Sequence, residues 1–369
     1  MKRLVLAGGG HAHIEVLRDL AEKPAAGVSC VVVTPYPRLL YTGMVPGVVA
    51  GHYKIEECAI GIEALARRAG AQLIQATVTG LDLEARQVKC DDGAAIAYDT
   101  LSIDAGARPL IGAASGVKQH ATLVRPMEEL MQGWAAVLAR TREGRVGAIT
   151  IVGGGAGGVE LALAMDHRMR RDIPGPAPHV RVVTNTPLLL PEFSVGARRR
   201  LQRWLARRNI GAHVSSTVAQ VGPGRVRLES GLEFASDATF WAGGAAAHEW
   251  IGRCGLATDE RGFLLTNAYL QSVTRAEVFG AGDCATQEGT RFAKAGVFAV
   301  RAAPVLAANL RATLAGTPLA PFTTDARYLA LVSTGERHAV ATWDGWSWEG
   351  GWAWRWKDAI DRKFVARYS

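Results

Sequence analysis

Cysteine is scarce: five residues in 369, Cys30, Cys58, Cys90, Cys254 and Cys284, with no CxxC or CxxxxC spacing among them. That count excludes a disulfide framework and leads us to expect a reducing, cytosolic setting. Long apolar runs are also lacking. No apolar stretch of roughly 18 residues is expected, and Leu4–Ala7 behind Met1-Lys2-Arg3 is too short for a signal h-region. The expectation is a chain that neither spans a membrane nor carries a secretory signal. Neither sign of charge dominates, since 42 Lys and Arg against 34 Asp and Glu leave +8. Such a balance suits phosphate-bearing ligands, nucleic acid or an anionic membrane surface and does not choose among them.

Glycine, by contrast, is abundant, and its 42 residues fall in short apolar contexts. Leu4–Ala7 reads as a strand, Gly8-Gly9-Gly10 as a turn, and Ile14, Val16, Leu17 and Leu20 as one face of a helix before a second strand, Cys30–Val33. The same order recurs with Ala148–Val152, Gly153–Gly158, a helix from Val159 to about Met169, and Val180–Val183. Two such βαβ units predict an α/β fold with two dinucleotide-binding domains. Ile173–Pro178 reads as a loop within the second unit.

In each turn the first glycine allows a tight strand-to-helix reversal, and the second lets backbone amides approach a pyrophosphate. The first turn has His13 at the third fingerprint position, which predicts looser packing or a ring turned aside. The second, Gly153-x-Gly155-x-x-Gly158 followed by Glu160, is complete. Both second strands end without the acid that grips a ribose, in Thr34-Pro35 and Thr184-Asn185. Arg198-Arg199-Arg200 can serve a 2′-phosphate or form a solvated helix face. His11 and His13 can relay protons, bind metal or serve packing; no metal is expected.

A third motif, Glu277–Ala285, joins a short strand to close-approach glycines and Asp283. Together with Leu101–Ala107 and Thr239–Gly244 it makes the chain resemble flavoproteins with two dinucleotide-binding domains, the pyridine nucleotide-disulfide oxidoreductase superfamily. This group includes glutathione reductase, type II NADH dehydrogenases and sulfide:quinone reductases. Tyr41–Gly47, Gly8–His13, Lys294–Arg301 and Trp354–Arg362 look more specifically like the NADH-dehydrogenase-like domain fused in front of selenide, water dikinase. That second enzyme is expected to be absent, so a selenium link would need a separate partner.

The resemblance implies an FAD domain split by an inserted NAD(P)H domain, plus a small C-terminal α+β region. The expected boundaries are 1–115 and 266–320 for FAD, 116–265 for NADH or NADPH, and 321–369 for the tail. Gly8, Gly10, His11, Ala12, Thr34, Pro35, Ala105, Gly106, Gly282 and Asp283 would line FAD, with Asp283 on the ribityl chain. Gly153, Gly155, Ala156, Gly158, Thr184 and Gly243 would line the nicotinamide cofactor. Lys294 near the flavin pyrimidine edge and Glu160 near the nicotinamide are the expected catalytic residues, and Tyr41–Gly47 would run along the flavin. The implied activity is FAD-dependent NAD(P)H dehydrogenation toward a quinone-like or small acceptor, without a redox-active disulfide. The alternatives are a sulfide:quinone-reductase-like enzyme, if folding joins Cys90 and Cys254, and a non-catalytic FAD-binding sensor or partner-binding protein.

Six of ten tryptophans lie between Trp343 and Trp356. Their period of two predicts a hairpin turning at Glu349–Gly351, followed by a basic amphipathic helix from Lys357 with Trp356, Ile360, Phe364 and Tyr368 on one face. Aromatic and basic residues together suit either peripheral contact with the inner face of a membrane or a homodimer or domain interface. No nucleic-acid partner is expected.

Overall fold

The computed structural model describes residues 1–290 and 292–369. Two five-stranded parallel sheets organise it. The first has the order Val278–Gly280, Thr100–Ile103, Lys2–Ala7, Val28–Val33, Gln72–Ile74. Its last strand in the chain therefore joins after the whole second unit has been made. The second sheet has the order Ala121–Leu123, Ala238–Trp241, Ala148–Val152, His179–Val183, Gly211–His213. In both, the strand before the glycine turn is central and buried on both faces, which its unbroken apolar sequence requires. The fold is that of two Rossmann-like units, as expected.

The helix His11–Glu22 packs Ala12, Ile14 and Leu17 into the first core, against Ala302, Leu306 and Leu310 of the helix Gly296–Ala315. This second helix corrects the expectation about apolar runs. By length and composition it could cross a membrane, yet Ala303, Leu306 and Leu310 are core residues of the first unit. The helix Ala156–Asp172 buries Val159, Leu161 and Met165 in the second core.

The tail differs from the sequence reading. The strands Ala339–Trp343 and Trp346–Gly350 pair antiparallel with Trp343 opposite Trp346, around Asp344-Gly345 with φ of +46° and +86°. Positive φ at both turn positions is what a tight two-residue hairpin needs, and Asp-Gly supplies it. The turn is thus at Asp344-Gly345, and the helix Gly351–Ala366 starts six residues earlier than Lys357. Trp352, Trp354 and Trp356 are helical, with Trp354 inward against His52 and Tyr53 and the other two outward. Phe364 and Tyr368 also leave the supposed aromatic face. Phe364 stacks on Tyr41 at 4.5 Å, and the buried Tyr368 hydroxyl donates to Glu15 at 2.8 Å.

Candidate active site

The first glycine turn is built around Asp104. Gly8 sits at φ +106°, and a methyl group there would overlap the Asp104 carbonyl. The amide of Gly10 donates to that same carbonyl at 3.2 Å. The Asp104 carboxylate then accepts from the amides of Ala12 at 2.7 Å and His13 at 3.2 Å, capping the helix from the neighbouring strand. A methyl group at Gly10 or Gly282 would fall on this carboxyl group. Burial lifts the Asp104 pKa to about 6.

His13 explains how the turn manages without a third glycine. Its buried ring lies 2.7 Å from the Gly8 carbonyl through Nδ1 and 2.8 Å from the Ser102 hydroxyl through Nε2. The network assigns the proton to Nδ1, which donates to Gly8, while Nε2 accepts from Ser102. Burial lowers its pKa to about 4, so it is neutral at physiological pH. His13 is a packing residue. The His11 ring lies 5.7 Å from Tyr41 and 6.0 Å from Phe364, in a small aromatic group between the first helix and the tail.

The second turn repeats the backbone pattern. The Gly153 amide donates to Val183 at 2.8 Å, as the Gly8 amide does to Val33. A methyl group at Gly153 would overlap the Ala242 carbonyl, and one at Gly158 the Gly153 carbonyl, so the third glycine is a close-approach residue here. Among the described residues, none outside the turn's own chain neighbours comes within 4 Å of a methyl at Gly155. Thr184 stands where Thr34 stands in the first unit, each against the middle glycine of its turn, and its hydroxyl lies 2.9 Å from that of Thr186. Arg200 is directed elsewhere, to Glu349 at 3.0 Å and Ser347 at 3.3 Å. Gly243 packs against the Leu110 carbonyl and the Trp241 indole, and Leu110 also accepts from Trp241 Nε1 at 2.9 Å.

Asp283 and Lys294 line one cleft with Gly282, Thr290 and Phe298. The Asp283 carboxylate accepts from Arg125 at 2.9 Å, a partner sequence reasoning did not single out. The Lys294 ammonium donates to the Ala285 carbonyl at 2.5 Å and the Thr286 hydroxyl at 2.9 Å, 4.0 Å over the Phe263 ring. Desolvation lowers its pKa. Ala105 and Gly106 follow Asp104, and the Ala105 carbonyl lies 3.2 Å from His248 Nε2. Thr34 is buried at its strand end, with Pro35 exposed beyond it.

Glu160 belongs to a second cluster. Its carboxylate accepts from the Ser333 amide at 2.6 Å, and desolvation lifts its pKa to about 7. Lys357 opposes that rise; its ammonium donates to the Gly43 carbonyl at 2.5 Å and pairs with Asp361 at 2.6 Å. Burial also raises Asp361 and, beside it, Tyr41. Glu160, Lys357, Asp361 and Tyr41 thus join the helix Ala156–Asp172, the Tyr41–Gly47 segment and the tail. The Lys-x-x-x-Asp spacing of 357 and 361 was the available signal for this pair. Within a run of basic residues it read as helix surface.

All five cysteines are free. Cys254 Sγ accepts from the Leu81 amide at 2.9 Å, and burial pushes Cys284, Cys58 and Cys30 up to about 12. Cys90 and Cys254 are not bonded to each other, and burial raises the Cys90 thiol as well.

Known proteins share this architecture. An NADH dehydrogenase-like protein of Mycobacterium tuberculosis is 25% identical over 301 residues, 77% of this chain and 73% of its own. Demethylphylloquinone reductase NdbB of Synechocystis is 25% identical over 358 residues, 92% of this chain and 85% of its own. Among solved structures, the sulfide:quinone oxidoreductase of Aquifex aeolicus superposes with a TM-score of 0.82 at 18% identity, covering 100% of this chain and 91% of that one. NDH2 of Plasmodium falciparum in complex with NADH gives 0.80 at 14% identity, covering 100% and 98%. The family described as pyridine nucleotide-disulphide oxidoreductase matches residues 2–302. Two glycine turns in two parallel sheets, with a returning strand in the first that leads into Gly282-Asp283, accord with that match, and the chain belongs to this oxidoreductase family.

Proposed function

We propose that this protein is an FAD-dependent NAD(P)H dehydrogenase that passes electrons to a quinone-like or small acceptor. The observation that carries the reading is the duplicated turn: in both sheets a buried strand runs into a positive-φ glycine and a helix start, the architecture that receives a pyrophosphate. We assign FAD to the first unit, residues 1–115 with 266–320, and NADH or NADPH to the inserted unit, 116–265. FAD, when bound, accepts a hydride and releases electrons singly or in pairs. The residues fit it. The Gly9–His11 turn would face its pyrophosphate, and Asp283, held by Arg125, would offer carboxylate oxygens to ribityl hydroxyls. Gly155, open on its outer side, and Gly158, which draws helix to strand, suit the second dinucleotide.

Glu160 and Lys357 would hold and move the protons that accompany reduction of the acceptor, with Lys357 fixed on Gly43 and Asp361. Lys294 would supply positive charge near the flavin after leaving its present partners, Ala285 and Thr286. The curated relatives named for NADH dehydrogenase and quinone reductase activity support a quinone-like acceptor.

An aromatic patch supports peripheral attachment to an anionic membrane surface. Trp343, Trp346 and Trp348 lie on one face of the hairpin, and Trp352, Trp356 and Ile360 on the adjoining helix face, all exposed. Exposed Arg355 and Lys363 flank them. The other hairpin face is occupied, with Ser347 and Glu349 bonded to Arg200, Arg203 and Trp204. Indoles at headgroup level beside basic side chains are the pattern of an interfacial anchor.

Anaerobic titration with NADH and with NADPH tests the activity. The purified protein is expected to be yellow and to bleach with at least one of them, and a spectrum unchanged by both sinks the dehydrogenase reading.

A further inference from the structure

The two turns differ at one position with a chemical consequence. Asp104 follows Ile103, which pairs with Ala7 before the first turn, and its amide donates to Ala7 at 2.9 Å. Ala242 follows Trp241, which pairs with Val152 before the second turn, and its amide donates to Val152 at 2.8 Å. Each carbonyl lies against the first glycine of its turn. The positions are equivalent, yet one carries a carboxyl group and the other a methyl. At the second helix start the space around Gly155 is open, whereas at the first the Asp104 carboxyl group fills the space beside Gly10 and takes the Ala12 and His13 amides.

A helix start favours one anion, and a second anion beside it is repelled at short range in a site of low dielectric. We propose that dinucleotide binding at the first glycine turn is proton-linked through Asp104: the pyrophosphate of FAD binds together with uptake of one proton on this carboxylate. In the neutral form, its hydroxyl becomes a donor to a phosphate oxygen while its carbonyl oxygen still accepts from the amides. The second turn, with Ala242, has no such linkage.

The surroundings permit the carboxyl group to titrate near neutrality. Desolvation raises it to about 6 before any ligand arrives, and the nearby Asp283 adds to the rise. Opposing it are the two amides and His11, itself lowered by burial. The Cys284 thiol, raised to about 12, stays neutral, and Arg125 is paired with Asp283. Lys294 lines the same cleft as Asp283, and its charge acts on both Asp283 and Cys284. A fully ionised pyrophosphate raises Asp104 further, so affinity is highest below pH 6 and falls above it.

This inference rests on FAD being the ligand of the first turn, and the experiment separates the two. Flavin-stripped full-length protein is titrated with FAD between pH 5.5 and 8, following the quenching of flavin fluorescence. The expected result is an affinity that falls by up to about tenfold per pH unit in the wild type. In Asp104→Asn it should be flat with pH and tighter than wild type at pH 8. Calorimetry of the wild type at pH 7 in two buffers of different ionisation enthalpy should show net proton uptake, a measurement that needs no variant. Zero uptake, a pH-independent wild-type affinity, or a slope that survives in Asp104→Asn but vanishes in Asp283→Asn overturns the linkage while leaving FAD binding intact. Failure to bind FAD at any pH overturns the assignment of the first turn and this inference with it.

Discussion

Glu160 accepts a hydrogen bond from the backbone amide of Ser333 at 2.6 Å, which ties the helix of the second glycine turn to the first strand of the tail. The contact explains how an acid next to a nucleotide-type turn comes under the influence of Lys357 and Asp361, nearly two hundred residues away in sequence. Burial, against the opposing pull of this hydrogen bond and of Lys357, lifts the carboxyl group into the physiological range.

Its folded-state pKa of about 7 lies above the ordinary value of 4.5. The stability it contributes is therefore full below pH 4.5 and is lost as the pH rises through about 7. Glu160→Gln keeps an acceptor for Ser333 and removes the titration. Thermal unfolding should place the variant level with wild type at pH 5 and above it at pH 8. The pH profile of acceptor reduction should lose its limb near 7, and an unchanged limb would remove Glu160 from proton handling.

Asp283→Ala removes the only carboxylate bonded to Arg125 among the described residues and the proposed acceptor for the ribityl hydroxyls. Leaving these groups unpaired costs about 1–3 kcal/mol. FAD retention after dialysis, measured by absorbance at constant protein concentration, should drop severalfold or more. Retention equal to wild type would mean that the Gly-Asp turn does not meet the flavin.

The tryptophans of the tail should divide sharply in their effect on stability. Trp354 is buried against His52 and Tyr53, and Trp354→Ala should cost about 3–5 kcal/mol in urea unfolding. Trp346 is 68% exposed, and Trp346→Ala should change stability by about 0.5 kcal/mol or less. Equal losses at the two positions would contradict the outward face.

That outward face is expected to bind anionic vesicles. Sedimentation with phosphatidylserine-containing liposomes should fall strongly in the triple variant Trp346→Ala, Trp352→Ala, Trp356→Ala, and should weaken for wild type as salt rises. Unchanged sedimentation of the triple variant would return the patch to a protein interface, which light scattering for a dimer would then detect.

Much of the fold was legible because its determinants are local. A continuous apolar strand, a glycine that tolerates positive φ and a helix with one apolar face define the unit twice, from Leu4 and from Ala148, whatever surrounds them. The Gly-Asp segment was legible for the same reason. What the tertiary structure alone decided involves partners distant in sequence. Asp104 caps a helix that begins at His11, and His13 replaces a glycine by reaching Ser102, contacts that depend on strand order. Lys357 meets Gly43 only because the tail folds back over the first unit. The tryptophans show the limit most plainly. A Trp-x-Trp-x-Trp pattern suits a strand, and as a helix it puts its first and last rings on one side. Burial of Trp354 against His52 and Tyr53 selected the helix, since a spacing of two residues carries no information about what lies across the core.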